Sequence, residues 1–130
     1  VYVIMHASSS DGVHWTRDAQ PVIPARVDFE CQTSASTFAW QGRQRMLFSY
    51  RHGLDFRNSE RGYRIGHAVS DDLLRWQRDD DAAGIAPSAA GWDSQMICYP
   101  HVFDLDGRTL MLYCGNEFGR DGFGWAELFA

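Results

Sequence analysis

The sequence predicts an all-β chain built from antiparallel units that repeat. Short runs rich in aromatic and β-branched residues alternate with Gly, Asp, Asn and Ser turn residues. No segment carries an apolar stripe at helical spacing over three turns. One block of sequence, at 6–17, also returns in altered form at 67–78. Together these three observations favour strands over helices along the whole chain.

The predicted strands can be placed in chain order. Seven segments have strand composition: 1–7, 36–41, 45–51, 63–70, 101–106, 109–116 and 123–129. Two tight hairpins are predicted, one at Gln41-Gly42 and one at Asp106-Gly107, because glycine readily adopts the positive φ that a tight hairpin requires. Each hairpin joins two of these strand segments.

The repeated block reads SSSDGVHWTRD at 8–18 and VSDDLLRWQRD at 69–79. Six of twelve positions match when 6–17 is aligned with 67–78, a spacing of 61 residues. The recurring S-x-D-x-x-x-W pattern is typical of a turn in which Ser and Asp side chains bind backbone groups. Because it occurs in successive units, we expect a structural role, with altered geometry in the second copy, where Leu73 replaces the glycine.

The hairpins repeat as well. Phe38 aligns with Phe103 at a spacing of 65, and a third copy of the first block begins at Trp125-Ala126, which answers His67-Ala68. Each unit is therefore predicted to hold four strands: a hairpin, a third strand, and an outer strand after the S-x-D turn.

A four-stranded antiparallel unit that recurs every forty to seventy residues is typical of a β-propeller blade. We expect one partial propeller domain, with a blade remnant at about 1–25 and four-stranded blades at about 26–85 and 86–130. Two blades and a fragment cannot close a ring, and the chain begins without Met, so the missing blades are expected on the N-terminal side. The alternative is a sandwich of two duplicated hairpin pairs.

Composition excludes several function classes. The formal charge is −5, from 17 acidic and 12 basic residues, which argues against a nucleic-acid partner. No apolar run is long enough to span a membrane, so no membrane partner is expected, and localisation stays open. The three cysteines form no C-x-x-C pair and have no His at ligand spacing. We therefore predict no metal, no cofactor and no disulfide framework.

The segments YRIGHAVSDDLLRWQRDD and GWDSQMICYPHVFDLDGRTLMLYCGNEFGRDGFGWAEL resemble the last blades of the five-bladed propeller glycosidases. That superfamily joins glycoside hydrolase families 32, 43, 68 and 130. The resemblance covers nearly the whole chain and implies the C-terminal part of a five-bladed propeller. It also implies cleavage of glycosidic bonds by paired carboxylates, with a carbohydrate as substrate or ligand.

Candidate site residues lie just before each hairpin, where such propellers line a central funnel. Glu30 is the predicted proton donor, because Glu30-Cys31 resembles the Glu-Cys dipeptide of family 32, and partial desolvation beside apolar neighbours would raise its pKa. When the two hairpin repeats are aligned at their spacing of 65, Glu30 corresponds to Gln95, whose amide cannot exchange a proton. The same alignment places Asp28 on Asp93, and both aspartates are candidates for binding sugar hydroxyls.

Sugar binding also needs flat apolar faces and planar hydrogen-bonding groups. Such residues are expected at the blade ends where loops converge, and the remaining predicted substrate-binding residues are Arg51, His52, Tyr99, His101 and Asn116. No family 32 nucleophile motif and no R-D-P triplet occurs in the chain, so the partner carboxylates would lie in further blades.

Three functions remain open from the sequence. The chain is part of a glycoside hydrolase-like enzyme and inactive by itself, or part of a non-catalytic glycan-binding propeller that serves polysaccharide metabolism. The third alternative is a purely structural β-repeat module that associates with the missing blades or with itself through exposed sheet edges.

Overall fold

The computed structural model describes residues 1–129, which form nine strands and little helix, so the all-β prediction is confirmed. The elements are β1 (Met5–Ser8), β2 (Thr16–Pro21), β3 (Cys31–Trp40), β4 (Arg43–Arg51), β5 (Arg64–Ser70), β6 (Gln77–Arg78), a 3₁₀ turn (Asp80–Ala83), β7 (Cys98–Leu105), β8 (Arg108–Cys114), one helical turn α1 (Asn116–Gly119) and β9 (Phe123–Leu128).

The strands form three antiparallel sheets in chain order. The first sheet is β1-β2, the second is β3-β4-β5-β6, and the third is β7-β8-β9. The second sheet thus has the predicted order of a hairpin, a third strand and an outer strand. Within the described residues the third sheet contains the hairpin and the third strand.

Both predicted hairpins are present, and their turn residues explain why. Gln41 and Gly42 have φ of 50° and 76°, and Asp106 and Gly107 have φ of 51° and 77°. Two successive positive φ values match the right-handed twist of the flanking strands, which is the geometry favoured in two-residue hairpins. The glycine in each pair adopts its value without a steric cost.

The sequence repeat is also a repeat of strand register. Met46 on β4 pairs with Ala68 on β5, and Met111 on β8 pairs with Ala126 on β9. Both hairpins carry a register shift near the start of their first strand, where Ser34 and Tyr99 have φ of 52° and 58°. A β-bulge with a left-handed residue therefore recurs at the same place in the second and third sheets.

The second sheet is buried on both faces. Met46, Phe48 and Ala68 pack with Ile23, which follows the first sheet. On the other face, Leu47 and Ile65 pack with Ile97 and Met111. Ile97 and Met111 belong to the third unit, which is the third sheet together with the loop before it, as the second unit is the second sheet together with the loop before it. Because side chains alternate between the faces of a strand, neighbouring residues of β4 serve two separate cores.

The two S-x-D turns have the same hydrogen bonds. The Ser9 hydroxyl donates to Asp11 at 2.9 Å, and the Asp11 carboxylate accepts two backbone N–H groups at 2.8 Å each. Ser70 and Asp72 repeat this arrangement at 3.1, 2.9 and 2.8 Å. The expected difference at Leu73 is wrong, because Leu73 itself adopts a φ of 63°.

Among residues 1–129, no helix is long and apolar enough to cross a membrane. The same residues contain no group of three or more His, Cys, Asp or Glu side chains placed to hold a metal ion. Cys31 and Cys98 are buried, Cys114 is half-buried, and all three are free thiols.

Candidate functional site

Strained loops converge at one end of the sheets, which we term the strand-start edge because β3 and β7 both begin there. Five non-glycine residues with left-handed backbone lie at this end: Phe29, Asp55, Tyr99, Glu117 and Phe118, with φ from 50° to 61°. Such conformations are costly for L-residues and often occur at functional sites, although Gln41, Leu73 and Asp106 also adopt them in the turns at the opposite end. The hairpin and S-x-D turns lie at the opposite end, where Arg43 and Asp71 form an ion pair at 2.8 Å.

An aromatic cluster occupies the strand-start edge and consists of Tyr2, Phe56, Tyr63, Tyr99 and Phe118. Tyr63 lies at its centre, 2% exposed, with ring centroids 5.6 Å from Tyr99 and 6.0 Å from Phe118. The Tyr2 and Tyr63 hydroxyls are 2.5 Å apart, and burial raises the pKa of Tyr63. These rings come from separate segments of the chain and pack into one contiguous, largely buried cluster.

Arg51 links the aromatic cluster to the second sheet. Its guanidinium carbon lies 3.6 Å from the centroid of Phe56 and 5.4 Å from those of Tyr2 and Tyr63, as in a cation–π contact. It donates to the Tyr2 hydroxyl at 2.9 Å and to the carbonyl of His52 at 2.8 Å. Arg51 is only 9% exposed, so it supports the rings from beneath.

A second arginine covers the outside of the cluster. The guanidinium carbon of Arg57 lies 5.1 Å from the Phe118 centroid, and the side chain pairs with Glu117 at 3.4 Å. The Arg57 side chain is 65% exposed. Phe29 is 67% exposed and packs its backbone against Gly53, at the start of the loop that carries Phe56. The edge therefore presents an exposed ring and an exposed planar cation beside the buried cluster.

Glu30 lies beneath this edge and does not reach solvent. Its side chain is 0% exposed and its carboxylate pairs with Arg78 at 2.7 Å. It also accepts from the side chain of Gln32 at 2.7 Å and from the backbone N–H groups of Arg26 and Val27 at 2.9 and 3.2 Å. Every lone pair of this carboxylate is engaged by the protein, since four donors face its two oxygens.

The expected rise in the pKa of Glu30 is wrong. Burial alone would raise it, but the hydrogen bonds from Arg78, Arg26 and Gln32 outweigh burial and hold the pKa below its ordinary value of 4.5. The group is therefore ionised at neutral pH, whereas a general acid must carry a proton. The predicted catalytic role of Glu30 stays a prediction, and this geometry favours a structural one.

In the third unit, two of the predicted sugar-binding residues form hydrogen bonds within the protein. Asn116 is 5% exposed, accepts from the backbone N–H groups of Gln95 and Met96, and donates to the carbonyl of Gly91. Asp93 is also 5% exposed, and the Tyr113 hydroxyl donates to it at 3.4 Å. Both side chains hold the loop that precedes β7 and point away from solvent.

Three other predicted sugar-binding residues are more accessible to solvent. Asp28 is exposed at the strand-start edge, and its carbonyl accepts from the backbone of Gly53. His52 is half-buried next to Arg51, and its Nδ1 is buried without a hydrogen-bond partner. His101 is exposed and stacks on Phe103, with ring centroids 5.9 Å apart, so it lies on the open face of the third sheet. Arg51, His52, Tyr99 and Asp28 are thus brought together, and His101 is separate.

Sequence reasoning missed much of the aromatic cluster. Tyr2, Phe56, Tyr63 and Phe118 were not among the candidates, and neither was the neighbouring Arg57, because they come from the chain start and from two irregular loops. The available signal was the pairing of arginine with nearby aromatic residues in the loop after β4, which reads RHGLDFRNSERGY at 51–63.

A cavity of about 140 Å³ lies between the second and third sheets, toward their turn end. Its apolar wall includes Phe38, Val102 and Met111, and it is remote from the aromatic cluster. The cavity separates the two sheets where Ala83 and Ile85 insert between them.

Comparison with known proteins shows two relatives by sequence. Both are described as uncharacterized proteins of Mycobacterium tuberculosis: MT1551 of strain CDC 1551, 38% identical over 128 residues, and Rv1502 of strain H37Rv, 38% identical over 134 residues. Each match covers 98% of this chain and 40% of the relative, so the chain spans about two-fifths of the length of these relatives. No protein-family model matches the chain.

Two solved structures are similar in fold. One is described as a glycoside hydrolase, with a TM-score of 0.71, and the other as a BT0996 RGII complex, with a TM-score of 0.69. Each is 22% identical in sequence, and each match covers 95% of this protein and 35% of the solved structure. The chain therefore has the fold of about one third of each of these two solved structures.

Proposed function

We propose that this chain forms part of a glycan-binding β-propeller in a glycoside hydrolase-like protein, and that its strand-start edge contributes to the glycan-binding surface. The observation that carries the proposal is the aromatic cluster, with the exposed Phe29 ring and Arg57 guanidinium beside it. Fold likeness to a glycoside hydrolase supports a glycan-related role, although a fold by itself does not specify an activity.

The packing of the second sheet supports a propeller over a sandwich. In a two-layer sandwich each sheet has one face in the core and one toward solvent. Here Phe48 is 0% exposed on one face and Leu47 is 7% exposed on the other. A sheet covered on both faces by the preceding and the following unit is the arrangement of a propeller blade, and the five-bladed count is part of this proposal.

The chemistry of the edge suits sugars. The faces of pyranose rings are apolar, and stacking against an aromatic ring removes them from water. Their hydroxyls pair with planar donors such as guanidinium groups. Phe29 offers an accessible ring, while Arg57 and Asp28 offer a donor and an acceptor at the same edge.

We further propose that the residues of this chain bind glycan and do not donate the proton. Glycoside hydrolysis requires an acid that holds its proton near neutral pH and a second carboxylate beside it. Glu30 has a lowered pKa and no exposed side-chain atoms to meet a substrate, and Gln95 stands at the equivalent place in the next unit. A catalytic pair, where the whole protein has one, would come from residues outside this chain.

The test is glycan binding by the complete gene product on a glycan array, followed by calorimetry with any glycan that binds. We expect Phe29→Ala and Arg57→Ala each to weaken binding about tenfold, the loss of one stacking or charged hydrogen-bonding contact. Trp15→Ala is the matched control, because Trp15 is 62% exposed but lies in the S-x-D turn at the opposite end. Equal affinity in all three variants would reject the strand-start edge as the binding surface.

A second measurement separates binding from catalysis. Release of reducing ends from each bound glycan is followed for the wild type and for Glu30→Gln. We expect turnover per folded molecule, if there is any, to be unchanged by Glu30→Gln. Loss of turnover in a variant that remains folded would restore Glu30 as the proton donor.

A further inference from the structure

Cys98 and Cys114 lie directly opposite each other on the antiparallel strands β7 and β8. Side chains of directly opposed residues project from the same face of a sheet, with Cα atoms about 4.5–5.5 Å apart. A disulfide needs a Cα separation of about 4.4–6.8 Å. The pairing of these two strands therefore brings two thiols within bonding range, although they are 16 positions apart in sequence.

The surroundings of the two thiols support this proximity. Cys98 is 0% exposed in a small core with Tyr63 and Met96, and Cys114 and Phe118 pack against that core. Burial and the neighbouring Cys114 raise the pKa of the Cys98 thiol to about 12. Cys114 is half-buried, so it is the thiol of the pair that a reagent in solution reaches first.

Comparison with the second unit shows that the cysteine pair is particular to the third. The register position of Cys98 and Cys114 is taken in the second sheet by Thr33 and Ser49, which also pair across their hairpin. The adjacent bulge gives the strand local freedom, because the extra residue there has no pairing partner of its own. The third unit thus has two oxidisable groups where the second has two hydroxyls.

We propose that Cys98 and Cys114 are a thiol-oxidation site that forms a cross-strand disulfide with a low-molecular-weight disulfide such as oxidised glutathione as the oxidant. The Cys114 thiolate attacks one sulfur of the oxidant, so a mixed disulfide forms and one reduced thiol leaves. Cys98 then loses its proton and attacks the Cys114 sulfur, which releases the second reduced thiol. Two protein thiols are oxidised to one disulfide, and one molecule of oxidant is reduced to two thiols.

The disulfide would act on the strand-start edge. Cys98 is followed directly by Tyr99, and only Gly115 separates Cys114 from the helical turn α1 that carries Phe118. Both ends of the link therefore adjoin the aromatic cluster. A cross-link here fixes the two segments against each other and limits the opening of the cluster. This consequence stands whether or not the cluster binds glycan.

The experiment treats the folded complete gene product with oxidised glutathione, blocks remaining thiols, and maps linked peptides by mass spectrometry. We expect a Cys98–Cys114 peptide link with loss of two hydrogen atoms. The matched control is Cys31, which is buried opposite Arg51 and has no cysteine partner among the described residues, so it should be alkylated only after unfolding.

Two variants test the order of the steps. Cys98→Ser should retain glutathione on Cys114, and Cys31→Ser should form the link as the wild type does. The proposal is overturned if no Cys98–Cys114 link forms while circular dichroism shows the fold intact, if the link forms only in denaturant, or if the oxidised pair includes Cys31. The wild-type map decides these outcomes even where a variant fails to fold.

Discussion

Replacement of Glu30 by Gln is expected to lower the free energy of unfolding, because the Glu30 carboxylate forms a buried ion pair. The carboxylate and the Arg78 guanidinium are 0% and 1% exposed. Glu30 Oε1 accepts from Arg78 and Gln32, and Oε2 accepts from the backbone N–H groups of Arg26 and Val27. An amide has one oxygen, so in either orientation its NH₂ group faces two donors and leaves them unpaired.

The expected loss follows from these contacts. Breaking a buried ion pair by removing one partner costs about 3–5 kcal/mol, because the remaining charge is left without compensation. Arg78 keeps Asp80, whose two oxygens lie 3.0 Å from its Nε, and this second partner lowers the loss. We therefore expect Glu30→Gln to lower the free energy of unfolding by about 3 kcal/mol.

The assay is urea unfolding of the complete gene product, followed by tryptophan fluorescence. Glu127→Gln is the control, because the Glu127–Arg108 pair is also short, at 2.5 Å, but lies where the arginine side chain is 49% exposed, so its removal should cost far less. Equal losses in Glu30→Gln and Glu127→Gln would refute the reasoning.

The same pair predicts a pH dependence. The pKa of Glu30 is lower in the folded protein than its ordinary value of 4.5, so the folded state binds this proton more weakly than the unfolded chain does. The stability contributed by the carboxylate is therefore fully present above about pH 4.5 and is lost as the pH falls through the folded pKa. The difference between wild type and Glu30→Gln should shrink in acid, and a constant difference would contradict the lowered pKa.

Three further predictions use the same unfolding measurement. Leu73→Gly should leave the free energy of unfolding unchanged or raise it by up to about 1 kcal/mol, because Leu73 has a φ of 63° that glycine adopts more easily. The control, Leu74→Gly, should lower it by up to about 1 kcal/mol. Equal losses of stability in the two variants would contradict the left-handed turn. The pKa of His67 is lowered from 6.5, mainly by burial, so its neutral form is favoured in the fold and stability should fall as the pH drops below about 6.5. This loss of stability in acid should be smaller in His67→Gln than in the wild type, and the same as the wild type in His101→Gln. An equal loss in the two variants would refute the role of His67. Asn116→Ala should cost about 2–4 kcal/mol, since this buried side chain makes three hydrogen bonds to the preceding loop. A loss below that of an exposed substitution would contradict the assigned contacts.

The fold was more predictable than the site because its signals are local. The Gln41-Gly42 turn follows from the conformational freedom of two adjacent residues. The S-x-D turn closes within four residues, as with Asp72 and the backbone of Arg75. The apolar neighbours of Glu30 indicated its burial, but its charge state depends on Arg78, 48 residues later, so no local pattern indicated that the buried carboxylate would be ionised. The direction of its pKa shift was therefore mispredicted, although its place before β3 was correct.

Comparison of the two units separates the residues that build the sheets from those that distinguish the edge. Residues that match in sequence, such as Met46 and Met111, occupy the same register and fill the cores between sheets. At the strand-start edge equivalent positions differ, as with Arg51 and Asn116, which lie at the same spacing of 65.

The two residues at this edge have different roles. Arg51 supports the rings of the aromatic cluster, and Asn116 ties down the loop before β7. A scaffold that repeats needs the same side chain at the same place, whereas one ligand meets each unit from a different direction. Under the proposed function we therefore expect glycan specificity to depend on the exposed edge residues that Arg51 and Asn116 hold in place, and the matched core residues to affect stability alone.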